Sequence, residues 1–345
     1  MKILKLTTAA LALACCACGS AERFKLNIPV SDDIQGKMIT LTNTDTDEKI
    51  DSIIATGEMV VMEGKIKNSI VARLHVEGVR MPRFILEPGT INIDSQSREA
   101  RGTELNERLH ELDAASTKLQ NSYNEADEEG KEKILEEYGK LIEDAVEANA
   151  DNALGFYLFV SEMAWEMDAA GLREAFEKYP SFANYEQAKK LLADAEKREM
   201  TKPGCKFIDF EVTQPDGSVK RLSDYVGKGK FTLVDFWASW CGPCIRQTAV
   251  LKDIYAKYKD SDRLDILGVA VWDEVEATLK AIEKHQLPWE CILDAQKIPT
   301  DIYGITGIPC IILFGPDGTI LSRDKQNDEL REAVDTALGE KITIE

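Results

Sequence analysis

The chain has 345 residues, of which 44% are hydrophobic and 30% are charged, and its formal net charge is −19 at pH 7. This length exceeds the usual size of a single hydrophobic core, so two domains are expected, and the composition excludes a wholly disordered chain. The excess of acidic residues repels phosphate groups, which excludes nucleic acid as a partner and argues against electrostatic binding to anionic lipid.

The first eighteen residues differ in character from the rest. Lys2 and Lys5 flank the start of an apolar run at residues 3–17 that is rich in Leu and Ala. This arrangement has the charge order and length of a secretory signal, and it is too short to cross a bilayer comfortably. We therefore expect residues 1–18 to direct export, which predicts a cell-envelope protein that faces the periplasm.

The apolar run ends in three cysteines, Cys15, Cys16 and Cys18. A cysteine directly after a short apolar leader resembles a bacterial lipoprotein cleavage site, at which the thiol becomes diacylated. Cys18 is favoured for lipid attachment because the polar tether Gly19-Ser20 follows it. Cys15 and Cys16 remain alternatives, as does a secreted leader without lipid.

Residues 24–97 alternate between apolar and polar side chains with a period of two, and glycines punctuate the pattern. Short strands are predicted at residues 38–42, 59–62, 70–76 and 83–86. Several short strands at regular spacing indicate a small antiparallel β-sandwich or barrel, and no catalytic cluster accompanies them. The layout resembles the β-rich N-terminal domain, of uncertain role, that precedes thioredoxin modules in Bacteroides-type envelope lipoproteins.

Residues 103–202 change to the period of helices. An apolar stripe at residues 134–146 predicts one helix, and further helices are predicted at residues 103–122, 152–166, 169–178 and 183–199. The aromatic run at residues 156–160 is interpreted as a buried helix face rather than a ligand pocket. Pro203-Gly204 then marks a domain boundary.

Residues 205–340 alternate strands with helices, which predicts an α/β domain whose sheet is covered by helices on both faces. The predicted strands are residues 206–213, 231–236, 265–272, 290–293, 310–314 and 319–323. The predicted helices are residues 243–259, 274–286 and 329–338.

Five cysteines follow the leader: Cys205, Cys241, Cys244, Cys291 and Cys310. So few thiols do not form a disulfide scaffold, and the closely spaced pair Cys241 and Cys244 indicates redox chemistry. The three scattered cysteines are interpreted as buried packing residues. Cys310 is the one of these three that lies close enough to the predicted site to trap side disulfides.

The chemistry of the pair follows from the helix that Gly242-Pro243 opens, since proline suits the first turn of a helix. Cys241 then lies at the helix N-terminus, where unpaired N–H groups and the helix dipole stabilise a thiolate, which is the attacking nucleophile. Cys244 lies one turn further on, more deeply buried, and can resolve the mixed disulfide.

The stretch at residues 234–244, VDFWASWCGPC, resembles thioredoxin closely. The resemblance implies that Asp235, six residues before Cys241, is the buried carboxylate that exchanges a proton with Cys244. Desolvation would raise its pKa.

A second match lies far along the chain, where Gly307-Ile308-Pro309 resembles the thioredoxin cis-proline loop. The resemblance implies that Pro309 packs against the disulfide and that the backbone of Ile308 pairs with substrate peptide. Trp240, Gly242 and Pro243 complete the substrate-facing surface that the resemblance implies.

An extra helix and strand at residues 274–293 extend the plain thioredoxin pattern. With them, residues 205–340 resemble the membrane-tethered reductases of the bacterial envelope and the surrounding redoxin (AhpC-TSA-like) superfamily. The resemblance implies a thioredoxin-like domain with a central mixed sheet and the exchange of protein disulfides, most readily as a reductase. It also implies a membrane or periplasmic electron donor and no cofactor other than the Cys241–Cys244 disulfide.

Other functions leave different signals. A zinc site is disfavoured because no second cysteine pair or histidine cluster accompanies the motif. A peroxiredoxin-like peroxidase would have Thr three residues before the nucleophile, where this chain has Ala238. An isomerase, or a binding lipoprotein whose residues 24–200 carry the main role, also remains open.

Overall fold

The computed structural model of the protein describes residues 21–339, which form two compact units. One unit contains the chain up to Trp165 together with Tyr179–Glu186, and the other contains Glu166–Lys178 and the chain from Gln187 onward. The predicted leader and Cys18 lie outside the described residues. Within the described part of the chain, no helix has both the length and the apolar character needed to span a membrane.

The first unit begins with eight strands: β1 Glu22–Pro29, β2 Met38–Asn43, β3 Lys49–Ile54, β4 Met59–Ile66, β5 Ile70–His75, β6 Arg83–Leu86, β7 Gly89–Ile93 and β8 Ala100–Arg101. They form two four-stranded sheets with the orders β4-β1-β7-β8 and β3-β2-β5-β6. The second sheet is antiparallel throughout. In the first, β1 and β7 run parallel, which differs from the expected antiparallel arrangement.

One hydrophobic core joins the two sheets of this unit. Alternate residues of β1, Phe24, Leu26 and Ile28, are buried, and they share a core cluster with Ile39 and Leu41 of β2. This period of two is what a strand with one buried face requires. The predicted β-rich N-terminal region is therefore confirmed.

Three helices follow in the first unit: α1 Glu104–Glu125, α2 Glu128–Ala148 and α3 Ala153–Leu158, which continues into a π-helical turn, Phe159–Met163. The side chains of Asp127 and Asn152 cap α2 and α3 by accepting backbone N–H groups of the first turn. At the start of α1 the buried carboxylate of Glu87 accepts the N–H group of Leu105 at 2.8 Å. The helical middle region predicted from the sequence is present.

The second unit contains six helices, α4 Ala169–Lys178, α5 Glu186–Met200, α6 Gly242–Tyr258, α7 Val275–His285, α8 Ile298–Tyr303 and α9 Asn327–Ala337. Its strands are β9 Glu211–Thr213, β10 Val219–Arg221, β11 Phe231–Trp237, β12 Leu264–Ala270, β13 Glu290–Ile292, β14 Cys310–Phe314 and β15 Ile320–Arg323. The central sheet has the order β13-β12-β11-β14-β15. Its first three strands are parallel and its last two antiparallel, which gives the predicted mixed sheet.

Both faces of this central sheet are covered. Apolar residues of α6, α7 and α9 pack on one face, and α8 packs on the other together with residues 207–226. The short α8 was not predicted, because six residues that include Pro299 give no helical period. Within the predicted strand at residues 206–213, only Glu211–Thr213 forms a strand.

Candidate active site

The strand-to-helix junction after β11 places the two cysteines of the predicted pair together. Cys241 is the N-cap residue of α6, and Pro243 lies in the first turn of that helix. Cys241 and Cys244 are joined by a disulfide bond. The backbone N–H group of Cys244 donates to Cys241 Sγ at 3.1 Å. In the reduced state this N–H group and the positive end of the helix favour the thiolate of Cys241 over its thiol.

The loop before β14 lies against this disulfide. The Ile308–Pro309 peptide bond is cis, as the sequence resemblance implied. The carbonyl oxygen of Ile308 is 3.7 Å from Cys241 Sγ. A disulfide sulfur has no proton to donate, so this contact becomes a hydrogen bond only when Cys241 carries a thiol proton.

Asp235 lies in the middle of β11, paired with Gly268 of β12 and Ile311 of β14. Its neighbours at two residues' distance, Leu233 and Trp237, pack in the core cluster that contains both cysteines, so the side chain of Asp235 faces the same layer. The residue is 4% exposed, and its Oδ1 has no hydrogen-bond partner among the described residues. Burial raises its pKa to about 7.

The predicted substrate-facing residues differ in exposure. Trp240 is 62% exposed, although both sulfur-bearing residues beside it are buried, and its indole N–H group donates to the carbonyl oxygen of Trp272 at 2.9 Å. Gly242 and Pro243 are exposed at the start of α6, and Ile308 is partly buried against the disulfide layer. An exposed indole next to a covered disulfide forms an apolar edge that a bound peptide can contact.

Asp273 is a structural residue of the site that the sequence interpretation missed. Its buried carboxylate accepts the backbone N–H group of Ser239 at 2.7 Å, the hydroxyl of Ser239 at 2.9 Å and the hydroxyl of Thr278 at 2.8 Å. These bonds hold the loop that carries Trp240 and Cys241 to the start of α7. The available signal was weak, namely a single aspartate between a predicted strand and a predicted helix.

The other three cysteines among the described residues are free thiols. Cys291 packs against Gly268, where an added Cβ would lie 2.6 Å from its sulfur, and burial raises its pKa to about 12. Cys310 lies on the opposite face of the sheet, and its thiol donates to Asp324 Oδ1 at 3.1 Å. Burial raises the pKa of Cys310 well above its usual value, so its thiol is not poised to attack the Cys241–Cys244 pair. Cys205 is a partly buried free thiol.

Across residues 21–339, no group of three His, Cys, Asp or Glu side chains is arranged to hold a metal ion.

The central sheet, the disulfide at a helix N-terminus and the cis-proline beside it define a thioredoxin-fold, redoxin-type thiol–disulfide oxidoreductase domain. Comparison with protein families agrees, since residues 203–323 match the AhpC/TSA family. Residues 24–109 match a second family, described as a domain of unknown function, DUF4369. The predicted resemblance and the predicted class of enzyme are thereby confirmed.

Curated relatives are similar to the C-terminal part of the chain. The thiol-disulfide oxidoreductase ResA of Geobacillus kaustophilus is 32% identical over 34% of this chain and 66% of its own length. The protein of the same name from Bacillus thuringiensis is 28% identical over 43% of this chain and 82% of its own length. The chain thus spans slightly less than two thirds of the first relative.

A solved structure, the thioredoxin domain of a thiol-disulfide oxidoreductase from Bacteroides vulgatus, is 31% identical. The match covers 39% of this chain and 96% of that one, with a TM-score of 0.34. The fold assignment therefore comes from the strand order and the site described above, and not from this superposition.

Proposed function

We propose that the chain is a reductase of protein disulfides in the cell envelope, anchored to a membrane through lipid on Cys18. The observation that carries the proposal is the Cys241–Cys244 disulfide at the N-terminus of α6, with the cis-proline loop on one side and a buried acid in the layer beneath. The secretory character of residues 1–18 supports export. The relatives named above support thiol–disulfide exchange.

The proposed reaction moves two electrons. The thiolate of Cys241 attacks one sulfur of a substrate disulfide, so a mixed disulfide forms and the other substrate sulfur leaves as a thiolate. The thiolate of Cys244 then attacks Cys241 Sγ, which restores the Cys241–Cys244 disulfide and releases the second substrate thiolate. The substrate is reduced and the enzyme is oxidised. A dithiol donor at the membrane or in the periplasm then reduces the enzyme again.

Asp235 is proposed to exchange the proton of Cys244. A thiol must lose its proton before it attacks, and a carboxyl group with a pKa of about 7 can accept a proton near neutral pH. Because Asp235 has no other hydrogen-bond partner at Oδ1, that oxygen is free to take the proton, directly or through water. Its proposed role is therefore general base in reduction and general acid in the reverse reaction.

The backbone of Ile308 and the exposed ring of Trp240 are proposed to contact the substrate. The Ile308 carbonyl oxygen already lies 3.7 Å from Cys241 Sγ, so an extended peptide paired with this loop would bring its disulfide to the nucleophile. The specificity of such pairing comes from side chains, whereas the backbone contacts suit many protein substrates.

The test is a trapping experiment with Cys244→Ser. This variant retains the attacking thiol and loses the resolving one, so we expect it to accumulate mixed disulfides with envelope proteins and to lose at least 100-fold in insulin-disulfide reduction. Cys205→Ser, which changes a cysteine outside the pair, should trap nothing and reduce insulin at the wild-type rate. A Cys244→Ser protein that reduces insulin normally and forms no mixed disulfide would overturn the proposal. Consumption of hydrogen peroxide that is lost in Cys241→Ser would instead favour a peroxidase.

A further inference from the structure

A polar cavity of about 510 Å³ lies within the first unit, called the β-rich unit from here on. Its lining residues are far in sequence from the redox motif. It lies beside β5 and β6, and residues of α1 and α3 line it as well. Three arginines border it: Arg73 on β5, Arg83 on β6 and Arg80 in the connection between those strands. The net charge of the whole chain is −19, so this concentration of positive charge is local.

Two of these arginines are directly opposite each other in the sheet. The register of β5 and β6 pairs Arg73 with Arg83. Opposed residues on antiparallel strands have their Cβ atoms about 4.5–5.5 Å apart, and like charges in this position destabilise a sheet. A negative charge beside the pair would offset this repulsion.

The described residues supply no such charge to the three arginines. Within residues 21–339, no carboxylate oxygen lies within 4.0 Å of Arg73, Arg80 or Arg83, and none of the three side chains donates a hydrogen bond. Arg73 Nε is fully buried and has no partner. A buried guanidinium N–H group without an acceptor is costly, because it has lost its hydrogen bonds to water.

Neighbouring arginines of the same unit behave differently. Arg98 binds Asp33 at 2.5 Å, Arg101 binds Glu107 at 2.6 Å and Arg108 binds Glu104 at 2.5 Å. The unit thus pairs these three arginines with its own acids. Within residues 21–339, the three arginines around the cavity have no such counter-ion.

The two acidic residues that line the cavity, Glu99 and Asp113, are poor counter-ions for its arginines. Glu99 is engaged by the ring of His110 at 3.1 Å. The pKa of Asp113 is raised, first by desolvation and then by the negative charge of Glu99. Neither carboxylate reaches an arginine of the cavity.

The hydroxyl of Tyr157 adds an uncharged hydrogen-bond donor to the cavity that the arginines border. Residues 156–160 are predicted to form a buried helix face. Phe156 and Phe159 are buried, whereas Tyr157 is only partly buried and lines the cavity. Burial raises the pKa of its phenol, while the charges of Arg83 and Arg73 act in the opposite direction. All three residues line the same cavity. Met81 and Phe84 supply apolar surface beside them.

We propose that this cavity binds a small molecule that carries a carboxylate or phosphate group. Arg73 and Arg83 lie opposite each other on β5 and β6, and guanidinium N–H groups suit the oxygens of either anion. The hydroxyl of Tyr157 can donate a further hydrogen bond. The apolar surface of Met81 and Phe84 contacts the rest of the ligand. The site uses no residue of the disulfide centre, so this binding function goes beyond the proposed reductase.

The test uses the full exported chain and two probes, citrate for carboxylates and inorganic phosphate for phosphates, with sodium chloride at equal ionic strength as the reference. Isothermal titration should show one site for at least one probe. Arg83→Gln and Arg73→Gln should each weaken that affinity at least 10-fold. The matched control is Arg23→Gln, which changes an exposed arginine of β1 in the same unit and should leave the affinity unchanged.

Thermal unfolding without ligand separates a binding role from a structural one. Removal of one of two opposed positive charges should leave the melting temperature of Arg83→Gln equal to that of the wild type or raise it by about 1–4 °C. A clear fall in the melting temperature would mean that Arg83 serves the fold, and it would contradict the proposal. The proposal would equally fail if neither probe binds, or if both arginine variants retain the wild-type affinity.

Discussion

The unpaired polar groups of the two units differ in whether they can lose their charge. In the redox domain, Asp235 is buried without a partner at Oδ1, and its pKa is raised to about 7. In the β-rich unit, Arg73 and Arg83 face a cavity without counter-ions, and guanidinium groups keep their charge at any physiological pH. One unit therefore holds a group that can lose its charge, and the other holds groups that cannot.

This difference indicates two kinds of function. A buried acid that titrates near neutral pH suits proton exchange with a thiol, because its charge can follow each step of the reaction. A permanent positive charge beside a cavity suits the binding of an anion, because the ligand supplies the missing charge. Substitution can measure how the lack of a partner at each of these polar groups affects stability and binding.

The largest effect is expected for Asp235→Asn, and it depends on pH. The pKa is 3.8 for an ordinary aspartate and about 7 in the fold, so between these values only the folded state holds the proton. The contribution of Asp235 to the free energy of unfolding therefore falls as pH rises through this window and levels off above pH 7. Asparagine cannot ionise, so the variant should be nearly equal in stability at pH 4 and more stable by up to about 4 kcal/mol at pH 8.

Urea unfolding of both proteins between pH 4 and pH 8 measures this difference. Asp265→Asn, which changes an exposed carboxylate on the neighbouring strand β12, is the matched control. Insulin reduction by Asp235→Asn should fall about 10- to 100-fold, since the proposed general base is lost. A stability difference that is flat across this pH range would show that Asp235 is charged in the fold, which would remove the contrast with the arginines.

Asn106→Leu in the β-rich unit is expected to lower the free energy of unfolding, whereas Asp235→Asn raises it. Asn106 is buried, and its side chain accepts the N–H group of Ile85 at 3.0 Å and donates to the carbonyl oxygen of Ile85 at 2.7 Å. It thus ties the start of α1 to strand β6. Leucine would leave both backbone groups buried and unpaired, which should cost about 2–3 kcal/mol.

The measurement for Asn106→Leu is urea unfolding at pH 7. Asn124→Leu, at an exposed position near the end of the same helix, should change the free energy of unfolding by less than about 0.5 kcal/mol. Equal losses at both positions would show that leucine is poorly tolerated anywhere on α1. The pairing with Ile85 would then not explain the effect.

These pairs of residues also show what a sequence can and cannot predict. The disulfide centre was predictable because most of it lies in one stretch, residues 234–244, whose spacing fixes a strand, a turn and a helix N-terminus. The opposed pair Arg73 and Arg83 could not be predicted, because it depends on the register of two strands. Strand register follows from the packing of the whole sheet.

Strand direction and strand pairing within each unit could not be predicted from the sequence either. The parallel pairing of β1 with β7 joins segments more than sixty residues apart, and the period-two pattern carries no information about strand direction. The contact of Gly268 with Cys291 likewise depends on the pairing of two strands, β12 and β13. Local periodicity predicts the elements, and only tertiary packing decides which side chains meet.

The smallest effect, and the sharpest comparison, is expected for Asp273→Asn. Asp273 is buried in the same domain as Asp235, but both of its oxygens accept hydrogen bonds, from Ser239 and from Thr278. An amide group replaces one acceptor oxygen with a donor that faces other donors, so the free energy of unfolding at pH 8 should fall by about 1 kcal/mol. The identical chemical change at Asp235 should raise it, because that carboxylate is unpaired. If both substitutions moved stability in the same direction, the pairing of a buried acid would not determine its effect, and the interpretation of Asp235 as a proton carrier would lose its physical basis.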